Sequence, residues 1–322
     1  MNTNNALLVI VGPTASGKTA LSLELAARIG PSVEIISADS RQIYTGMDIG
    51  TAKPNPQELQ QVPHHLINIL PPNERYAAGR FADDAAAAIQ EVWRRGNIPI
   101  VVGGSGFYVQ ALFQGLSAPT ADPDVYAMLE QRLEAEGYDA LHHQLQAVDP
   151  VAAAAHSPNN RAKTLRALAC YIQTGQPYSD FLSAGSGDRG SASGRFLPRY
   201  VVISPARDLL YRRINQRVIQ MLESGLMEEV DRLLAEGFTA SDPGMRTVGY
   251  SEAIGHRAGE FGYERMVELI QQSTRRYAKR QMTWFRRLAD GMWLEQGGEE
   301  SVAKVRDLME LMRDSKEKKN GD

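Results

Sequence analysis

The sequence predicts an α/β protein, a parallel sheet covered on both faces by helices and interrupted by an all-helical domain. Three observations lead there. Apolar runs of strand length alternate with helix-patterned stretches over the first hundred residues, the order that builds parallel sheets. A glycine-rich turn, Gly12-Pro-Thr-Ala-Ser-Gly-Lys-Thr19, joins the first strand to the first helix. A long helical segment then separates this region from a further strand near residue 200.

In chain order, residues 7–11 are apolar and read as a buried strand, followed by a helix over 20–29. A second strand is expected at 33–37, a helix at 81–94 and a third strand at 98–102, ending on Gly103-Gly104. From 124 to 174 apolar residues recur every three or four positions (Met128, Leu129, Leu133, Leu141, Leu145, Val148), a helical period. The Ser- and Gly-rich stretch 183–195 reads as a flexible loop, and a strand at 200–203 restores the earlier pattern. Helices are expected over 209–222, 227–234 and 264–288. The core thus comprises 1–115 and 197–315, the helical insertion 116–196, and a frayed charged tail 316–322.

Composition narrows the class. Of 322 residues, 43% are hydrophobic and 23% charged, which excludes a disordered chain. No apolar run reaches the roughly 20 residues of a membrane span, so no membrane association is expected. The single cysteine, Cys170, excludes an internal disulfide and reads as a buried structural thiol. Residues 1–5 lack the basic region of a secretory signal, and the expected compartment is the cytoplasm. The net charge of −3 does not advertise nucleic-acid binding. Residues 275–287, however, hold six basic side chains and no acidic one.

The glycine-rich turn matches G-x-x-x-x-G-K-[ST] in its required setting, strand before and helix after, which makes the fold P-loop NTPase-like. Backbone N–H groups of Gly12, Pro13's neighbours Thr14, Ala15 and Ser16, and Gly17 would cradle phosphate oxygens at the positive end of the helix. Lys18 supplies a point charge and Thr19 a hydroxyl for Mg²⁺, the one cofactor expected. A chance glycine-rich turn is the bland alternative. The motif does not say which phosphate compound binds, or whether the phosphate is transferred or leaves.

Asp39 follows the second strand and so points toward the same crevice. A turn or helix cap is its bland reading; beside a P-loop it becomes a candidate general base or Mg²⁺ ligand. Ser40, Arg41 and Gln42 are of the kind that reads a base edge. Pro63-His-His-Leu66 lacks further ligands nearby, and the two histidines read as structural rather than metal-binding.

With Gly12–Thr19 in place, Ala38-Asp-Ser-Arg-Gln-Ile-Tyr44, Gly50-Thr-Ala-Lys-Pro54, Pro63-His-His-Leu66, Gly103-Gly-Ser-Gly-Phe-Tyr108, Val248-Gly-Tyr250 and 275–286 follow in order. Together they resemble the bacterial tRNA dimethylallyltransferases, which modify the adenosine just 3′ of the anticodon, and the resemblance covers nearly the whole chain. It implies that Asp39 takes a proton from the exocyclic amine of adenine. It further implies that the P-loop holds the diphosphate of dimethylallyl diphosphate in place of a nucleotide's, with Arg217 and Ser105 assisting. The tRNA contacts it implies are Asp39, Ser40, Arg41, Gln42, Ser105, Tyr126, Arg246, Gly249, Tyr250, Lys279, Arg280, Gln281, Thr283, Trp284 and Arg286. A solvated helix face is the other reading of Arg217. Ser105 stands where the family usually has Thr and keeps the hydroxyl, Phe107 replaces Leu, and Ser251 replaces a common Lys. Asn159-Asn-Arg161 differs modestly from the family's insertion motif.

Helix 275–287 is expected to pack one side and expose the other, because its basic and aromatic residues cannot share a face. Like charges without acids make most sense beside phosphates. An adenine attacked in a crevice must be flipped from its stack, and Arg161, Lys163 and Arg166 on the insertion are a candidate clamp on the anticodon loop. The chain is expected to act as a monomer. A P-loop kinase of a small metabolite would use the same cradle and the same Asp, though it has no need of a basic-aromatic helix. A nucleotide-dependent RNA-binding protein without chemistry is the third reading.

Overall fold

The computed structural model describes residues 5–116, 118–119, 121–155, 160–183, 195–288 and 290–317. Asn159, most of the expected 183–195 loop and the end of the tail lie outside them. By compactness the chain forms two units, one of Met1–Tyr76, Asp83–Val109 and Arg195–Asp322, the other of Ala77–Ala82 and Gln110–Gly194.

The first unit is built on six parallel strands in the order β3-β2-β4-β1-β5-β6. These are β1 (Ala6–Val11), β2 (Val33–Ser37), β3 (His64–His65), β4 (Ile98–Gly103), β5 (Leu197–Ile203) and β6 (Met292–Leu294). The central strands β1 and β4 are nearly all apolar and buried, as a sheet covered on both faces requires. Helices α1 (Lys18–Ile29), α2 (Pro56–Gln61) and α3 (Ala78–Arg94) precede β4, and α4 (Gly106–Gln114) follows it. After β5 come α10 (Arg207–Glu223), α11 (Leu226–Ala235), α12 (Tyr250–Arg257) and α13 (Tyr263–Phe285), with α14 (Glu299–Glu317) last. Leu21 and Leu25 of α1 pack with Val302, Val305 and Met309 of α14 against Leu8, Ile10, Ile35 and Ile100 of the sheet. Each such side chain removed from water contributes about 1.5–3 kcal/mol. Helix α14 runs through Glu317, so the start of the expected tail is helical.

One charge lies inside the sheet. Glu34 of β2 is only 4% exposed. Burial alone would raise its carboxyl, but hydrogen bonds from Arg95, Asn97 and His65 outweigh it and hold the group at about 2. His64 turns its ring to the Val62 carbonyl. Both histidines thus serve the fold, and among the described residues no three His, Cys, Asp or Glu side chains converge as a metal cluster.

The second unit is helical: α5 (Pro123–Glu136), α6 (Tyr138–Val148), α7 (Pro150–Ala155), α8 (Arg161–Thr174) and α9 (Tyr178–Ser183). Leu129, Leu141, Leu145, Leu165 and Leu168 form its core, and Cys170 is buried. Its main segment begins at Gln110, within α4, and it also takes in Ala77–Ala82 at the start of α3.

Because the strands are parallel, their carboxyl ends share one edge, where ligands of such folds bind. That edge carries Gly12 after β1, Asp39 after β2 and Gly103 at the end of β4. The turns are laced together: Ala38 N donates to Val102 O at 2.8 Å and Ser105 N to Ala38 O at 3.1 Å. A Cβ at position 103 would stand 2.1 Å from Ala38 O, so only glycine permits this approach. Among the described residues no helix is long and apolar enough to cross a membrane.

Candidate active site

The P-loop is shaped by its backbone. Ala15 is held at φ 61° and Gly17 at φ 98°, which turns successive N–H groups to one side, and α1 starts at Lys18. Lys18 Nζ donates to Pro13 O at 2.8 Å. Desolvation lowers its ammonium to about 8; the charge of Asp39 opposes the shift and that of Arg217 adds to it. Burial likewise lowers the Arg217 guanidinium, again opposed by Asp39. One carboxylate therefore lies within electrostatic reach of both cations.

Asp39 is oriented by its own turn. Its Oδ1 accepts from Arg41 N at 2.9 Å and from Gln42 N at 3.4 Å, an Asx turn. The capping role and a chemical role are compatible here, since both bonds use Oδ1 and leave Oδ2 for another partner. Arg41 Nη1 donates to Pro243 O, and Gln42 Nε2 to the carbonyls of Thr51 and Ala52.

These groups line a cavity of about 380 Å³. Thr14, Ala15, Gly17, Lys18 and Thr19 form its P-loop end, with Asp39, Arg41, Gln42 and Arg217 beside them. Arg246, Gly249, Arg280 and Gln281 are on the wall too. Ile214, Val218 and Met221 of α10 and Ile270 of α13 add an apolar patch to the same space. Gly12, Pro13 and Ser16 sit behind the loop, buried. Ser40 and Ser105 are half-buried and stand off the cavity wall. Lys279, Thr283 and Arg286 are exposed on α13 and its end, as are Arg276 and Arg287. Arg275 instead turns inward to Asn215 Oδ1, at 2.6 Å.

Three residues expected to contact RNA also make internal contacts. Gln281 is 6% exposed and both ends of its amide are bonded internally, to Thr14 N and to Gly104 O. Tyr250 is fully buried, and its hydroxyl donates to Glu229. Trp284 lays its ring on Gly106, where an added Cβ would stand 2.2 Å from the indole. All three lie on helix faces already occupied by packing. In the second unit Arg161 and Lys163 are exposed in the first turn of α8, Arg166 reaches Ala118 O, and Tyr126 packs on the helical core.

Sequence reasoning assigned no role to several residues that shape this site. Glu229 of α11 is 6% exposed and accepts from three consecutive N–H groups, Asp48, Ile49 and Gly50, at 2.8–3.1 Å. It thereby fixes the loop whose Gly50, Thr51 and Ala52 line the cavity. Its signal was a carboxylate on the otherwise apolar face made by Leu226, Val230 and Leu233. Tyr277 also lines the cavity, its hydroxyl raised by burial and by Asp39 and hydrogen-bonded to Ser40. Thr247, 5% exposed, has no hydrogen-bond partner for Oγ1 among the described residues.

The sequence model of the IPP transferase family matches residues 42–288. That span leaves out the P-loop and Asp39. A tRNA dimethylallyltransferase of Geobacter metallireducens is 46% identical over 293 residues, 91% of this chain and 93% of its own. One from Methylococcus capsulatus is 43% identical over 294 residues, 90% of this chain and 92% of its own. Among solved structures, the tRNA isopentenylpyrophosphate transferase of Bacillus halodurans aligns with a TM-score of 0.70 at 36% identity, covering 99% of this chain and 100% of its own. A eukaryotic dimethylallyltransferase acting on tRNA aligns with a TM-score of 0.73 at 28% identity, over 90% of this chain and 73% of that one.

Proposed function

The chain belongs to the IPP transferase family, is an enzyme that transfers a dimethylallyl group to tRNA, and we propose that the cavity at the sheet edge performs the transfer. The donor is dimethylallyl diphosphate, and the acceptor is the exocyclic amine of the adenosine beside the anticodon. The observation that carries this reading is the pairing of a phosphate cradle with an apolar patch in one cavity that also holds Asp39. A kinase needs only the cradle and the carboxylate; a five-carbon allylic tail needs Ile214, Val218, Met221 and Ile270 as well.

The amine nitrogen bonds to the allylic carbon while that carbon's bond to the diphosphate oxygen breaks. Asp39 removes the amine proton, which offsets the weak nucleophilicity of a lone pair delocalised into the purine. Lys18, Arg217 and the P-loop N–H groups other than that of Thr14, which Gln281 takes, stabilise the charge that gathers on the leaving diphosphate. Magnesium fits the cradle through the Thr19 hydroxyl, since it takes hard oxygen ligands and keeps several waters. When bound, it would withdraw charge from the diphosphate. The flipped adenine would enter past Gln42, Arg246 and Tyr277. The exposed basic residues of α13 would meet tRNA phosphates, joined by Arg161 and Lys163, whose place at a helix N-terminus is unfavourable for cations unless anions are near. The reading keeps a cytoplasmic enzyme, since that is where tRNA is found.

Unmodified tRNA incubated with labelled dimethylallyl diphosphate is expected to take up label and release diphosphate, whereas labelled ATP leaves it unlabelled. Phosphoryl transfer from ATP without prenylation would return the kinase reading. Replacing Arg280 with alanine is expected to weaken tRNA binding and to lower the slope of log affinity against log salt by about one. A titration series at several salt concentrations reads this directly, and an unaltered slope assigns Arg280 to the fold.

A further inference from the structure

We propose that Gln281 is a positioning residue for the phosphate cradle, holding Thr14 in place from α13. This rests on the reading of that cradle as the diphosphate site. Thr14 is tied at both of its polar groups. Its N–H donates to Gln281 Oε1 at 2.8 Å, and its Oγ1 accepts from Arg217 Nη1 at 3.3 Å. The other end of the Gln281 amide donates to Gly104 O at 2.9 Å. One buried side chain therefore bridges the turn after β1 to the turn after β4.

The chemistry of the bridge is selective. Thr14 presents a donor and Gly104 an acceptor, so the residue between them must offer an acceptor and a donor at the same reach. A carboxamide does so; a carboxylate lacks the donor and an ammonium lacks the acceptor. Gly104 leaves the room, since a Cβ there would stand 2.4 Å from Gln281 Nε2. Loss of the bridge would leave the part-buried Thr14 N–H and the buried Gly104 carbonyl without this partner. Thr14 would be free to shift, and with it the acceptor that aims Arg217 at the leaving group. Gln281 thus acts on the diphosphate through Thr14 and not on RNA, although Arg280 next to it is exposed to solvent.

Q281M and Q281L test this in the full chain. Four quantities are read: affinity for inorganic pyrophosphate with magnesium, KM for dimethylallyl diphosphate alongside kcat, tRNA affinity, and the melting temperature. Q281M is expected to weaken pyrophosphate binding and raise that KM about tenfold, with tRNA affinity held within about twofold. Q281L, which removes both the acceptor for Thr14 and the donor to Gly104, is expected to show the same pattern and stands in if the methionine variant does not fold. Weaker tRNA binding with unchanged pyrophosphate affinity would make Gln281 an RNA contact and overturn the proposal. A parallel loss of both affinities with a lowered melting temperature would reduce it to general packing, and no change in any quantity would remove it altogether. Should the unaltered protein fail to bind pyrophosphate, the diphosphate reading itself falls, which the wild-type control reveals before any variant is compared.

Discussion

Asparagine in place of Asp39 is expected to slow prenyl transfer by about 10²–10⁴ while tRNA affinity stays close to its original value. The substitution is nearly isosteric. The amide oxygen of asparagine can still accept from Arg41 N and Gln42 N, so the Asx turn that aims this residue survives. What disappears is the capacity to take a proton from the amine. The carboxylate's charge also disappears from beside Lys18 and Arg217, which favours an incoming diphosphate. The signature is therefore a fall in kcat without weaker diphosphate binding, read from single-turnover rates and equilibrium binding together. A variant that turns over within a few-fold of the original enzyme would leave Asp39 as a turn residue and nothing more.

Lys18→Met is expected to act on the other half of the reaction. It removes the point charge from the cradle, and transfer should slow by about 10²–10³, the usual scale for one lost electrostatic stabiliser of a developing anion. The ammonium sits near 8 because its surroundings desolvate it. Below that pH the free enzyme already carries the charge that a diphosphate needs. Above it, binding the anion requires taking up a proton, so affinity falls by up to about tenfold per pH unit. The variant has no such group. Pyrophosphate affinity measured from pH 7 to 10 should therefore decline more steeply for the original enzyme than for Lys18→Met, and parallel curves would show that Lys18 stays charged or does not meet the ligand.

The features legible in the sequence are those made by neighbours along the chain. The P-loop is one such feature, because its cradle is a strand, a short turn and a helix start at fixed spacing. Asp39 is another, since a residue placed directly after a parallel strand must arrive at the carboxyl edge. The central strands were readable because burial on both faces demands continuous apolar runs. Strands β3 and β6 were not, at two and three residues, because their extended form comes from pairing with β2 and β5 rather than from any period of their own.

Gln281, Tyr250 and Trp284 show what residue type alone leaves out. Each has a side chain suited to RNA, and each lies in a motif with basic or polar neighbours. The helix phase turns them inward, where they brace the P-loop, Glu229 and the Gly106 turn.

The sequence alone determined that this chain carries a P-loop motif at the edge of a parallel sheet with one carboxylate close by, because those groups are positioned by local backbone geometry. Tertiary structure alone decided which side chains hold that geometry in place and which face the cavity. Gln281 meets Thr14 across 267 positions, and Glu229 meets Asp48 across 181. Such pairs are chosen by the packing of whole helices on the sheet, and no pattern local to either partner encodes which residue the other will be.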